Sequence, residues 1–269
     1  MTTMRKLQNG RFNVELQSYG SGGEPLLFLH GAGGLMPSEP FLEELGRDYK
    51  VFAPHLPGYG ESTGAEQIDD VFDAVLFYQE LLDDLGIAQA HVAGHSMGGM
   101  LAAELAAQNP QRVKKLVLVA PAGFWIDEHP IPDVFAAQLD EMAGLLFHDP
   151  KSPAAQLMTA IPKDFTLLEA MYVERVKRFS VASKFLWPVP DRGLKKRAYR
   201  ISAPTLVLWG ESDRLIPPVY ATEFTSRIKN AKAQTIKQAG HMLMYEQQET
   251  LVKAIREFLK ERVASRDSQ

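Results

Sequence analysis

Five short runs of almost uninterrupted apolar residues recur along the chain. They are residues 26–29, 51–53, 91–93, 116–119 and 205–209. A strand that is buried on both faces has this pattern, because neither face needs polar side chains for contact with water. The runs therefore predict the strands of a central sheet that is covered by helices on both sides.

Helical periodicity separates the predicted strands, over residues 68–85, 97–108 and 246–262. Gly86 and the pair Asn109-Pro110 follow the first two of these segments, and such residues are typical of the position after a helix. Because strand and helix alternate, we predict an α/β fold with a mostly parallel, doubly wound sheet.

A hairpin is predicted ahead of this sheet. Asn9-Gly10 lies between two strand-like segments, residues 4–8 and 11–19. Asn-Gly favours the positive φ angles of a two-residue type I′ turn, which joins antiparallel strands. We therefore expect the chain to open with an antiparallel pair of strands.

The alternation stops between residues 122 and 201, where strand signals are absent and helical patterns continue. We predict that this segment is a helical cap, or lid, inserted into a core formed by residues 1–121 and 202–269. Its first two helices are predicted over residues 133–147, from amphipathic spacing, and after Ser152-Pro153, which has the N-cap and N1 residue types.

The second half of the cap segment carries further start and stop signals. Thr166-Leu167-Leu168-Glu169 has the residue types of a capping box, which predicts a helix start. Trp187-Pro188-Val189-Pro190 predicts the end of that helix, because proline interrupts an α-helix. The basic run Lys195-Lys196-Arg197 then predicts a solvated helix face rather than a binding site.

Composition and charge exclude several classes of function. With 45% hydrophobic residues and a formal net charge of −4, the chain offers no electrostatic reason to bind nucleic acid or an anionic membrane. It has no cysteine, which excludes disulfides, thiolate catalysis and thiolate-bound metals. Residues 1–12 lack an apolar stretch of signal-peptide length, and no run reaches the roughly 18 apolar residues of a membrane helix. We expect a soluble, cytoplasmic protein.

A serine flanked by glycines is the first candidate for chemistry. The motif Gly-His-Ser-Met-Gly at residues 94–98 follows the strand predicted at residues 91–93 and precedes the helix predicted from Met97. In this context a G-x-S-x-G motif forms a nucleophile elbow, in which the serine backbone is strained and the glycines let strand and helix approach. We predict Ser96 as the nucleophile; a chance turn of the same composition is the alternative.

A serine hydroxyl needs a general base, because it is a poor nucleophile at neutral pH. Of the seven histidines, His241 has the most suitable place, between the last plausible strand at residues 233–236 and the final helix. The base in turn needs a carboxylate that fixes its tautomer. Asp213 is the first choice, because it follows the strand at residues 205–209, at the sheet edge where α/β active sites form. The alternatives are Glu211 and, more weakly, Asp127 and Glu128.

A glycine-rich loop, His30-Gly31-Ala32-Gly33-Gly34, follows the first parallel strand. Such a loop can present backbone N–H groups to a developing oxyanion, and the N–H groups of Ala32 and Met97 are the predicted pair. Phosphate binding is the alternative for a loop rich in glycine. It fits poorly, because the chain has neither G-x-G-x-x-G nor Gly-Lys-Ser/Thr at this position.

These motifs, in the chain order serine, aspartate, histidine with His30-Gly31 ahead of them, resemble the α/β-hydrolase superfamily over nearly the whole chain. Residues 56–62, Leu-Pro-Gly-Tyr-Gly-Glu-Ser, are similar to the P-G-x-G-x-S turn of that family, although His55 replaces the aspartate that many members carry before it. The resemblance implies an α/β-hydrolase fold with a helical lid over the substrate, and it places the lid at residues 122–201.

The resemblance also separates branches of the superfamily. Epoxide hydrolases and haloalkane dehalogenases carry aspartate at the elbow, where this chain has Ser96. Carbon–carbon bond hydrolases of meta-cleavage products share the Ser-Met-Gly-Gly run at residues 96–99, but they typically have H-G-x-G-P-G-A, asparagine before the serine and tryptophan after the catalytic histidine. The chain has Gly34-Leu35, His95 and Met242 at these points, which favours a serine carboxylesterase.

The expected reaction is a two-step acyl transfer through an acyl-enzyme on Ser96, without a metal or an organic cofactor. A carbon–carbon hydrolase, a haloperoxidase-like perhydrolase and a non-catalytic small-molecule receptor on a hydrolase scaffold stay open as alternatives. The expected partner is a small-molecule ester with a hydrophobic acyl or alcohol group, and the oligomeric state stays open. The predicted substrate-binding residues are Gly33, Phe124, Trp125, Phe135, Leu139, Trp187 and Met242.

Overall fold

The computed structural model describes residues 1–188 and 191–261, which contain one eight-stranded sheet and the helices packed against it. The strands are β1 (Thr2–Leu7), β2 (Phe12–Tyr19), β3 (Pro25–Leu29), β4 (Lys50–Pro54), β5 (Ala90–His95), β6 (Val113–Val119), β7 (Thr205–Gly210) and β8 (Ala231–Ile236). The helices are α1 (Pro40–Leu45), α2 (Val71–Asp84), α3 (Met97–Gln108), α4 (Met142–Leu146), α5 (Pro153–Thr159), α6 (Phe165–Leu186), α7 (Tyr220–Arg227), α8 (Leu243–Glu246) and α9 (Gln248–Lys260).

The sheet is antiparallel at one edge and parallel elsewhere, in the order β1-β2-β4-β3-β5-β6-β7-β8. β1 pairs with β2 and β2 with β4 in antiparallel register, whereas every pair from β4–β3 to β7–β8 is parallel. The five apolar runs of the sequence form β3 to β7, and every residue of the central strand β5 is buried. The prediction of a mostly parallel, doubly wound α/β sheet is confirmed.

The opening hairpin is present, but its turn differs from the predicted one. The ladder of β1 and β2 ends at the pair Leu7 and Phe12, so residues 8–11 connect the strands rather than two residues alone. The Arg11 N–H donates to the Gln8 carbonyl at 3.1 Å, which closes a short 3₁₀ turn. The prediction of a two-residue type I′ turn is therefore wrong, while that of the antiparallel strand pair is confirmed.

The helices of the core follow the predicted segments closely. α3 has the predicted bounds. α2 begins after residue 68, because the Asp70 carboxylate accepts hydrogen bonds from the N–H groups of Phe72 and Asp73 and caps the helix there. α9 is shorter than the predicted segment at residues 246–262, whose last residue lies outside the described residues. No helix in the described part of the chain is long and apolar enough to cross a membrane.

The segment at residues 122–201 joins β6 to β7; its described residues contain α4, α5 and α6 and no strand. The prediction of a helix over residues 133–147 is wrong over most of its length, because only Met142–Leu146 is helical. The residues before α4 form turns, from which the side chains of Val134 and Phe135 pack against the core. Tertiary packing here outweighs the amphipathic pattern of the sequence.

Two helix starts in this segment depend on capping side chains. α5 begins after Ser152, as predicted, because its hydroxyl accepts a hydrogen bond from a first-turn N–H group. α6 begins before the capping box predicted at residues 166–169, since Asp164 is its N-cap and accepts the N–H of Leu167 at 3.0 Å. α6 ends directly before the predicted proline stop, of which Val189 and Pro190 lie outside the described residues.

The basic run after α6 has one member that is only partly exposed. Nε and Nη2 of Arg197 donate to the two carboxylate oxygens of Glu104 on α3, both at 2.7 Å, and Glu104 is fully buried. A buried carboxylate is costly without a cationic partner, so this ion pair ties the segment after α6 to the helix that follows Ser96. Lys195 and Lys196 are exposed as predicted, but the prediction of a solvated face is wrong for Arg197.

Candidate active site

Ser96 lies in the turn between β5 and α3, with φ 53° and ψ −119°. A positive φ is strained for a residue with a side chain. The turn is tight because strand and helix approach closely. A Cβ on Gly94 would lie 2.2 Å from the Gly98 carbonyl oxygen, and a Cβ on Gly98 would lie 2.1 Å from that of Leu29. The two glycines of the motif are therefore required by packing, and they allow Ser96 to be held at the end of the central strand.

His241 and Asp213 form a buried pair beside this turn. Nδ1 of His241 lies 2.8 Å from Oδ2 of Asp213, and the two residues are 2% and 4% exposed. The other oxygen of Asp213 accepts the N–H groups of Leu215 and Ile216, at 3.0 and 2.9 Å. Because a carboxylate only accepts hydrogen bonds, the proton of neutral His241 is on Nδ1. Nε2 is then the ring nitrogen with a lone pair, as a general base requires.

The alternative carboxylates are placed differently. Glu211, Asp127 and Glu128 are all exposed, and Asp127 accepts a hydrogen bond from Nε1 of Trp125 at 2.8 Å. The structure therefore brings Asp213, rather than its three competitors, to the imidazole of His241.

The glycine-rich loop after β3 is held by His30. Its Nδ1 lies 2.7 Å from the Gly31 carbonyl oxygen, and its Nε2 accepts the N–H of Leu56 at 3.0 Å, so the ring proton is on Nδ1. The peptide unit that contains the Gly31 carbonyl also contains the Ala32 N–H, and the unit is planar. His30 therefore fixes the direction of the predicted oxyanion donor. The second predicted donor, Met97, is the first residue of α3, where N–H groups have no intrahelical acceptor.

Acid is expected to destabilise the fold through His30. Burial lowers the pKa of His30 to about 3, so the native ring stays neutral where the unfolded chain binds a proton. Its contribution to the free energy of unfolding is complete above about pH 6.5 and falls by roughly 1 kcal/mol per pH unit below it. Urea unfolding of wild type and His30→Gln at several pH values between about 6 and 4 measures this slope. The variant should show a slope smaller by roughly that amount; equal slopes would exclude a buried neutral His30.

A cavity of about 500 Å³ opens beside Ser96. Its lining includes Ser96, His241, His95, the glycine-rich loop after β3 and residues of the segment that joins β6 to β7. Most of the wall is apolar and rich in methionine, whose flexible side chain adapts to irregular ligands. Of the predicted substrate-binding residues, Gly33, Leu139 and Met242 line the cavity.

The other four predicted substrate-binding residues do not line this cavity. Phe124 is buried against Phe224, with ring centroids 4.4 Å apart, and Nε1 of Trp125 donates a hydrogen bond to the Asp127 carboxylate. Phe135 packs edge-on against Phe179 and Trp187, and Trp187 is half exposed. The structure does not bring Phe124, Trp125, Phe135 and Trp187 to the cavity beside Ser96, and their role in substrate binding stays a prediction. Apolar character alone does not distinguish a residue that faces a ligand from one that packs behind it.

The cavity wall also carries charged side chains that the sequence does not predict as site residues. Glu39 is 1% exposed; its carboxylate accepts the N–H of Met36 at 2.8 Å and the hydroxyl of Tyr245 at 2.7 Å, and burial raises its pKa. Arg175 and Arg178 of α6 also line the wall, and Nη1 of Arg178 donates to the Gly33 carbonyl at 2.9 Å. No local motif marks these residues, since they meet the cavity only through the fold.

The fold and this arrangement define an α/β hydrolase. The family model described as alpha/beta hydrolase fold matches residues 24–248, and the chain belongs to that family. A membrane phospholipase A, described as a bacterial virulence factor, has a similar structure, with a TM-score of 0.78, 24% identity, and coverage of 96% of this chain and 85% of that one. At this identity the likeness shows the fold alone.

Curated relatives fall into several functional groups. The chain is 33% identical to the dihydrolipoyllysine-residue acetyltransferase component of the acetoin cleaving system of Pseudomonas putida, over 90% of this chain, and it spans 65% of that protein's length. It is 29% identical to Lipase 1 of Psychrobacter immobilis, over 89% of this chain and 78% of the lipase. It is 28% identical to a 2-hydroxy-6-oxononadienedioate/2-hydroxy-6-oxononatrienedioate hydrolase of Cupriavidus pinatubonensis, over 92% and 91% of the two chains.

Proposed function

We propose that this α/β hydrolase cleaves carboxylic esters through an acyl-enzyme on Ser96. The observation that carries the proposal is that Ser96, in its strained turn, lines the same cavity as His241, whose Nδ1 is bonded to the buried Asp213. This combination of nucleophile, base and orienting carboxylate is the arrangement that acyl transfer requires. The similarity to a lipase supports an ester substrate.

In the proposed reaction, Nε2 of His241 takes the hydroxyl proton while Oγ of Ser96 attacks the ester carbonyl carbon. The N–H groups of Ala32 and Met97 hold the negative charge on the carbonyl oxygen. The alcohol leaves with the proton that His241 returns to it. Water then gives a proton to His241 and attacks the acyl-enzyme, and the carboxylic acid departs as Ser96 regains its proton.

Cleavage of a carbon–carbon bond in an acidic dienone is the second candidate function. Arg175 and Arg178 lie on the cavity wall, and a cationic guanidinium suits a substrate carboxylate. The relative from Cupriavidus pinatubonensis is named for dicarboxylate substrates. His95 and Met242 stand where the carbon–carbon hydrolases typically have asparagine and tryptophan, which keeps ester hydrolysis first.

A substrate panel tests the proposal. We expect kcat/KM for p-nitrophenyl esters to rise about tenfold or more from acetate to hexanoate, because added methylenes enter an apolar cavity. A ring-fission dienone with a terminal carboxylate should be cleaved more slowly than hexanoate. Faster turnover of the dienone would overturn the ester proposal in favour of the second candidate.

Two variants on α6 sharpen this comparison. Arg175→Gln removes a cation from the cavity wall, whereas Lys177→Gln removes one from an exposed position of the same helix. If the dienone is the substrate, only the first variant should lower kcat/KM for it. If a neutral ester is the substrate, neither variant should lower kcat/KM for that ester.

A further inference from the structure

His95, the last residue of β5, lies between Ser96 and the loop that carries His241. It is 6% exposed, and its Nε2 lies 3.0 Å from the main-chain carbonyl oxygen of His241. The two imidazole rings are 4.8 Å apart between centroids and tilted by 49°. The residue directly before the proposed nucleophile thus contacts the main chain of the proposed base, 146 residues further along the chain.

The chemistry of the acceptor fixes the tautomer of His95. A carbonyl oxygen only accepts, so Nε2 of His95 carries the proton and donates it. Burial, together with the neighbouring His241, lowers the pKa of His95 well below its usual range, so the ring is neutral. Nδ1 of His95 then faces the glycine-rich loop after β3, because a Cβ placed on Gly31 would lie 2.9 Å from that nitrogen.

Besides the bond between His241 and Asp213 and the Ser212 N–H that donates to the Ala239 carbonyl at 2.8 Å, three further contacts hold the loop that carries His241. The Gly240 N–H donates to the Glu246 carboxylate at 2.6 Å, which ties the loop to α8. The Met242 N–H donates to the Leu146 carbonyl at 3.0 Å, which ties it to the cap segment. The third contact is the hydrogen bond from His95, and it joins the loop to the strand that ends at Ser96.

We propose that His95 is a positioning residue, which sets the distance between His241 and Ser96 by holding the His241 main chain through its Nε2–H. The inference rests on the proposed function, because it concerns the geometry of proton transfer from Ser96. Displacements of about 1 Å in such geometry can cost about a hundredfold in rate. If the His95 side chain only filled space, any side chain of similar volume could replace it. If it positions His241, the replacement must also carry a hydrogen-bond donor.

A pair of variants separates these two roles. His95→Gln places an amide N–H near the original position of Nε2, while His95→Met has a similar unbranched shape without a donor. We expect His95→Met to lower kcat for p-nitrophenyl butyrate by about 10- to 100-fold, and His95→Gln to recover most of that loss. The rate of labelling of Ser96 by a fluorophosphonate should fall and recover in parallel.

A second pair keeps the test decisive if the methionine variant does not fold. His95→Asn carries the same amide on a side chain one methylene shorter, too short to reach the His241 carbonyl, so it should lose activity where His95→Gln retains it. Equal kcat and labelling rates in the glutamine and asparagine variants, with similar thermal midpoints, would overturn the positioning role while the proposed function stands. A wild-type protein that neither hydrolyses esters nor labels would overturn the proposed function itself, and the role of His95 with it.

Discussion

Replacing Ser96 with alanine is expected to lower kcat for ester hydrolysis by about 10⁴- to 10⁶-fold, the largest loss among the variants considered. The hydroxyl is the atom that forms the acyl-enzyme, and a residue without it leaves only the oxyanion donors and substrate binding to accelerate attack by water. The measurements are kcat for p-nitrophenyl butyrate and covalent labelling by a fluorophosphonate, located by mass spectrometry. Labelling should be lost completely.

The structure offers a matched control for this variant. Ser180 lies exposed on α6, where its hydroxyl donates to the Lys177 carbonyl at 2.7 Å, so Ser180→Ala should label and turn over like wild type. Alanine at position 96 keeps a side chain at φ 53°, so Ser96→Ala should retain the backbone strain and a thermal midpoint close to that of wild type. An Ser96→Ala protein that still labels at the wild-type rate would place the nucleophile elsewhere.

The central sheet and the residues at its carboxyl edge could be predicted because both depend on local patterns. Fully buried parallel strands are apolar on both faces, so the sequence of each strand predicts it independently of the strands that pair with it. Once the strands were placed, the carboxyl-edge rule brought Ser96, Asp213 and His241 to one end of the sheet. The structure pairs two of them, through the hydrogen bond between the imidazole of His241 and Oδ2 of Asp213, and it places Ser96 and His241 on the wall of one cavity.

The cavity wall could not be predicted, because its contacts join distant parts of the chain. Glu39 meets Tyr245 across 206 residues, and Arg178 donates to the Gly33 carbonyl across 145. Neither pair leaves a periodic or local signal. Phe124 packs in the core rather than on the cavity wall, and its apolar character alone does not distinguish these two places.

The short helix α4 shows how tertiary contacts outweigh a local pattern. Residues 133–147 have helical spacing of apolar residues, yet those before α4 do not form the predicted regular helix, and Val134 and Phe135 among them pack partly buried against the core. A regular helix presents one face only, whereas turns can direct Val134 and Leu139 toward the cavity and Phe135 toward Phe179. The amphipathic pattern therefore marks residues that are partly buried, but it does not predict their secondary structure.

Replacing Asp213 with asparagine is expected to lower kcat by about 10⁴-fold while the fold is kept. The amide oxygen of asparagine can still accept the N–H groups of Leu215 and Ile216, as Oδ1 of Asp213 does, so the turn after β7 should persist. Its NH₂ group would then face Nδ1 of His241 and donate to it. The ring proton would move to Nε2, which could no longer accept the proton of Ser96.

Glu211→Gln is the matched control, because it changes a carboxylate two residues away that is exposed to solvent. It should leave kcat for p-nitrophenyl butyrate close to the wild-type value. Asp213→Asn should keep substrate binding, measured as KM, since Asp213 does not line the cavity. The proposed role of Asp213 would be contradicted if both variants lost activity equally, or if Asp213→Asn kept wild-type kcat. A loss confined to Asp213→Asn would show that the carboxylate beside Nδ1, rather than negative charge near this turn in general, is what keeps Nε2 of His241 unprotonated, the form in which the base acts.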